Sequence, residues 1–149
     1  MNTLQEYFEA RLNEANTTGS LLVCYEAGRC LELGLGTPLD KQAAENWYRH
    51  VFDNGGLSVI RALAEKGEAQ AQFILGRVYF NGQAGLSAND NEAVKWYRAA
   101  AEQGYAIAQS SLGFMYSNGR GVAKNDAEAV KWYRAAVNSL CRMSVSKKR

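Results

Sequence analysis

Apolar and small residues return along this chain at three- and four-residue steps, the spacing of one face of an α-helix. Ala71, Leu75 and Tyr79 stand four apart, and after a glycine-bearing break Ala93, Trp96, Tyr97 and Ala100 trace a second stripe. The pattern predicts pairs of antiparallel helices, an A helix followed by a B helix. Asp40, Asn89-Asp90 and Asn125-Asp126 are placed to cap the B helices, because their side-chain oxygens can accept from the first unsatisfied amides. Gly55, Gly67 and Gly104 fit chain reversal after a helix end. Leu4, Phe8 and Leu12 share one face of a further helix expected within residues 1–18.

The pairs repeat. EAVKWYRAA occurs at residues 92–100 and again, unchanged, at 128–136. Upstream of the two copies stand Ala71-Gln72, Leu75-Gly76, Tyr79 and Ala108-Gln109, Leu112-Gly113, Tyr116, followed by the turns Asn81-Gly82 and Asn118-Gly119. A worn copy precedes them, with Gly28, Gly34 and Trp47-Tyr48-Arg49 at the matching places. The organisation expected is a single repeat domain over 1–149: the N-terminal helix in 1–18, a degenerate repeat in 19–55, an inserted half-helix in 56–66, full repeats in 67–103 and 104–138, and a basic tail in 139–149. Gly28, Gly76 and Gly113 fall in the middle of A helices, where glycine costs about 1 kcal/mol relative to alanine. Their recurrence implies that helix B comes too close for a Cβ, and the B-helix tryptophans Trp47, Trp96 and Trp132 are expected to fill the space as core.

These residues resemble the Sel1-like repeat, a relative of the tetratricopeptide repeat. Gly104, Ala106, Ala108, Gln109, Leu112, Gly113, Tyr116, Gly119, Gly121 and Val122 carry the likeness in the last unit, and Gly67, Ala69, Ala71, Gln72, Leu75, Gly76, Tyr79 and Gly82 in the one before. The resemblance covers roughly residues 19–138. It implies an all-α fold, a right-handed α-solenoid of antiparallel helix pairs. It also implies a non-enzymatic adaptor or regulatory scaffold in bacteria, neutralisation of a bacterial effector or toxin being one specific form. Some secreted relatives staple each repeat with a disulfide, and a β-lactamase-type hydrolase activity belongs to that cysteine-rich branch. Here the cysteines do not recur with the repeat. The last unit also departs from the pattern: Leu140 stands in place of the closing glycine, and SLCRMSVSKKR resembles no capping helix. The outer face of residues 125–138 is therefore open to cover by a partner, by a second copy in a homodimer, or by the tail.

Comparing the units with one another separates packing from recognition. The A-helix positions that differ are Leu22/Gln70/Ile107, Tyr25/Phe73/Ser110, Glu26/Ile74/Ser111, Arg29/Arg77/Phe114 and Glu32/Phe80/Ser117. Their offsets place them on one stripe of the helix. In solenoids of this type that stripe lines the concave side. It gathers Arg29 and Arg77 among Tyr25, Phe73, Phe80 and Phe114, side chains of the kind that dominate binding hot spots. These six are the candidate partner-binding residues, for an extended or helical segment of another protein. The competing use of the aromatics is packing against the neighbouring repeat's A helix.

Composition narrows the chemistry. One proline and fourteen glycines suit helices broken by short turns. The net charge of +2 is misleading, because Arg142, Lys147, Lys148 and Arg149 leave thirteen cations against fifteen carboxylates over residues 1–141. A body with a charge of −2 has no broad cationic field for nucleic acid. No apolar run reaches the roughly 18 residues of a membrane span, and the start MNTLQEYFEARLNEA has no secretory character, so a cytoplasmic location is expected. Cys24 and Cys30, six apart on a helix, are separated by about 9 Å of rise and cannot bridge. His50 has no companion at ligand spacing, so no metal, cofactor or catalytic residue is assigned. Asp90/Glu92 and Asp126/Glu128 sit at B-helix starts as partners of the helix dipole.

Overall fold

The computed structural model describes residues 5, 6, 9, 10, 13 and 20–146, with side chains as far as residue 142. Residues 20–146 form seven helices: α1 (Leu21–Leu33), α2 (Lys41–Asp53), α3 (Gly56–Glu65), α4 (Ala69–Asn81), α5 (Asp90–Glu102), α6 (Ala106–Asn118) and α7 (Asp126–Ser146). No strand occurs among the described residues. The face expected at Leu4, Phe8 and Leu12 lies outside them. The chain divides into two compact units, Met1–Val59 and Ile60–Arg149, with the boundary inside α3. Helices pack in chain order, α1 on α2 in the first unit and α4 on α5, α5 on α6 and α6 on α7 in the second. This is the fold class the repeat predicts, an α-solenoid of A and B helices.

Local chemistry starts and stops the elements. Asp40 accepts from the amide of Ala43 at 3.0 Å, Asn89 from Glu92 at 3.1 Å and Asn125 from Glu128 at 3.1 Å, so α2, α5 and α7 each carry their cap. The A helices α1, α4 and α6 end at Gly34, Gly82 and Gly119 with φ of +69°, +65° and +63°. That left-handed conformation costs an L side chain but not glycine, which makes these the natural stops. Gly55, Gly67 and Gly104 also carry positive φ at the reversals.

The mid-helix glycines pack as expected, but against a different partner. A Cβ on Gly28 would stand 2.8 Å from the Tyr48 ring, one on Gly76 2.6 Å from Tyr97, and one on Gly113 3.0 Å from Tyr133. The tyrosine following each tryptophan fills the slot. Trp47, Trp96 and Trp132 are half-buried, with the Lys95 and Lys131 ammonium groups near the Trp96 and Trp132 rings. Adjacent helical residues point about 100° apart, so only one of the pair can face helix A.

A second correction concerns the C-terminal end. Residues 139–146 continue α7, which runs 21 residues where α5 runs 13. The closing glycine is what ends α5: Gly104 has φ +86°, and at the equivalent place Leu140 lets the helix run on.

Candidate functional site

The variable stripe is not uniformly available. In the first unit Tyr25 is fully buried, its ring 4.8 Å from Tyr48 and 6.3 Å from Phe52. Arg29 is buried too, and its guanidinium donates to Glu26 Oε2 at 2.9 and 3.2 Å. In the second unit Phe73 is buried between Tyr97 at 5.9 Å and Tyr105 at 5.6 Å. As placed here, Tyr25, Arg29 and Phe73 are packing residues and offer a ligand no surface. In each unit a large aromatic at this position meets the rings packed beside it before it meets solvent.

Exposure opens toward α6. Arg77 and Phe80 on α4 are half-buried, Ser110, Ser111 and Ser117 on α6 are half-buried, and Phe114 is 42% exposed. Phe80 and Phe114 meet edge to face at 6.1 Å, so helix A touches helix A as the competing reading required. One face of Phe114 still points to solvent. The two rings sit beside an ion pair absent from the expected set. Arg120 stacks its guanidinium 4.3 Å from the Phe80 centroid and donates to Asp90 at 2.9 and 3.1 Å. Asp90 is thus more than a helix-dipole partner. The signal for Arg120 was present: it follows Gly119 where Gln83 and Leu35 follow Gly82 and Gly34, a position that varies between units like the stripe itself. A Cβ on Gly121 would run into the Asp90 carbonyl, so a glycine here lets the Arg120 loop lie close to the start of α5.

Groups that could do chemistry are spent or dispersed. Glu26 and Asp90 are tied to arginines. His50 is exposed at the last turn of α2, where its carbonyl accepts from Asn54 at 2.7 Å. All three cysteines are free thiols, Cys24 and Cys30 buried and Cys141 exposed. Burial pushes the Cys24 thiol above its ordinary value of 9.0, partly opposed by a backbone hydrogen bond. Among the described residues no three His, Cys, Asp or Glu side chains gather as a metal site would require. No helix among them is long and apolar enough to cross a membrane.

Comparison with known proteins agrees with the fold. The Sel1 repeat model matches residues 22–49, 69–105 and 106–139. No curated protein matches. Among solved structures, a protective antigen of uropathogenic Escherichia coli strains displaying an SLR fold is 33% identical at a TM-score of 0.50, over 88% of this chain and 25% of that one. A Sel1 repeat protein from Oxalobacter formigenes is 34% identical at a TM-score of 0.50, over 91% of this chain and 51% of that one. This chain therefore spans about a quarter and about half of their lengths.

Proposed function

The chain belongs to the Sel1 repeat family, whose members typically mediate protein–protein interaction, and from that premise we propose that it is a non-enzymatic module that holds a segment of a partner protein. The segment lies along the open end of the A-helix stripe. Phe114 is the anchor, Phe80 and Arg77 flank it, and the Arg120–Asp90 pair forms a polar rim. The observation that carries this reading is the exposure of Phe114, a large ring left 42% open among half-buried polar neighbours. Rings in such settings bury much area on binding while losing little rotamer freedom. The half-buried serines of α6 supply hydrogen-bonding groups beside it. Arg77 takes an acidic side chain or a terminal carboxylate, since a guanidinium can hold a carboxylate through two parallel bonds.

Immobilised chain carrying Arg77→Ala and Phe114→Ala together is expected to lose a partner that the unsubstituted chain retains, with an unchanged circular dichroism spectrum. Equal retention by the two would rule this surface out. The hydrolase alternative drawn from the cysteine-rich branch has a separate check: nitrocefin turnover by the pure chain above the buffer rate would overturn the non-enzymatic reading.

A further inference from the structure

One stretch of sequence occurs twice in this molecule in two different surroundings. In α5, which packs between α4 and α6, Val94, Tyr97 and Ala101 are 5%, 4% and 1% exposed. Their equivalents on α7, Val130, Tyr133 and Val137, are 49%, 40% and 59% exposed, and Leu140 adds a fourth apolar position at 55%. Val130, Tyr133, Arg134, Val137 and Asn138 line an open, largely apolar hollow.

The inner copy shows what kind of helix fits. Arg98 on α5 donates to the Tyr116 hydroxyl at 2.6 Å, and Asp90 receives Arg120, four residues past that tyrosine. Gln109 donates to the Ala101 carbonyl at 3.1 Å. The fastening is used once more, between α3 and α4: Arg61 reaches the Tyr79 hydroxyl at 3.4 Å and Gln72 the Ala64 carbonyl at 3.1 Å. On α7 the third set stands in register, with Arg134 for Arg98 and Asp126 for Asp90, both exposed. Only the carbonyl contact changes. Because α7 runs on to Ser146, the Val137 carbonyl lies inside a helix, and the continuation adds about 12 Å of helix bearing Leu140.

We propose that the outer face of α7 is a docking site for an amphipathic helix of the A type presented by another protein. That helix carries small residues and a leucine toward Val130, Tyr133 and Val137, a tyrosine for Arg134, and an arginine four residues later for Asp126. A second copy of this chain does not supply it. Tyr79, Tyr116, Gln72 and Gln109 are engaged on their own B helices, and α1 has Cys24 and Leu31 where the glutamine and tyrosine belong. The inference rests on the protein-binding reading above and deepens it. A helix seated on α7 as α6 sits on α5 also meets Phe114 as Phe114 meets Phe80.

The probe is a fluorescein-labelled peptide of residues 104–122 of this chain, titrated with the full-length protein and followed by anisotropy. Saturable binding is expected, weakened at least about tenfold by Val137→Asp, which would bury a carboxylate against apolar groups. Arg134→Ala in the protein and Tyr116→Phe in the peptide should each weaken it about two- to tenfold, with no further loss when combined. Val137 is 59% exposed, so the aspartate variant should keep its circular dichroism. Absence of saturable binding overturns the proposal, and so does binding untouched by Val137→Asp, which would place the peptide in the α5 groove. Light scattering that shows a dimer dissociated by Val137→Asp would assign the face to a second copy and overturn it as well. Partner capture lost with Phe114→Ala but kept with Val137→Asp would leave the stripe reading standing and sink this one.

Discussion

At Gly76 a methyl group would have two opposed effects. Alanine stabilises a mid-helix position by about 1 kcal/mol over glycine. Its Cβ, however, would stand 2.6 Å from the Tyr97 ring and 3.3 Å from the Ala93 carbonyl. That ring is 4% exposed and has nowhere to go, and overpacking of this kind costs about 1–3 kcal/mol. Gly76→Ala should therefore lower the urea midpoint. Gly113→Ala should leave it within error or raise it slightly, because the Tyr133 ring lies 3.0 Å away and, at 40% exposure, can swing aside. Arg29 belongs to the same scale. Arg29→Ala leaves the Glu26 carboxylate buried without its guanidinium, so thermal unfolding should show a loss of about 3–5 kcal/mol. A variant of unchanged stability would return Arg29 to the candidate surface. The thiols divide by burial. Cys141 should react with Ellman's reagent in the folded chain, and Cys24 and Cys30 only after unfolding. With its folded pKa raised, Cys24 contributes stability that is full below pH 9.0 and lost as pH climbs through the folded value. Cys24→Ala should flatten that alkaline decline.

Among elements, the helices and their pairing were legible because each is set by neighbours in sequence: apolar spacing, an Asp or Asn at the start of a B helix, a glycine at the end of an A helix. The availability of the stripe was not. Tyr25, Phe73 and Phe114 occur on equivalent A-helix faces, and the pattern gives no sign that two are buried and one open. Exposure there depends on whether another helix lies alongside, a property of the stack. The choice of Tyr over Trp against the glycines was hidden for a related reason, since the two are adjacent and recur together. The run of α7 past residue 138 was legible in one residue. Leu140→Gly should restore the stop that ends α5 at Gly104 and shorten α7, seen as faster amide exchange over residues 141–146. Unchanged protection there would mean that the glycine does not set the helix length.

Across the whole molecule, the same nine-residue segment does two jobs. Within EAVKWYRAA at 92–100, Tyr97 closes a core, and within the copy at 128–136, Tyr133 packs on Gly113 but stays 40% exposed. The following A helix α6 packs on α5, while α7, the last helix described, presents the equivalent apolar positions 40–59% exposed. The low charge of the body suits this arrangement, because recognition by an apolar strip with a few placed polar groups needs no long-range field.

The most direct test compares those two tyrosines. Tyr97→Ala and Tyr133→Ala make the same chemical change in the same local sequence, and urea denaturation of each reads only the surroundings. Tyr97→Ala should cost about 3–5 kcal/mol, as truncation of a buried aromatic does. Tyr133→Ala should cost less than half as much. Equal losses would mean that the outer face of α7 is already closed in the folded chain, and that no open repeat end remains for a partner to fill.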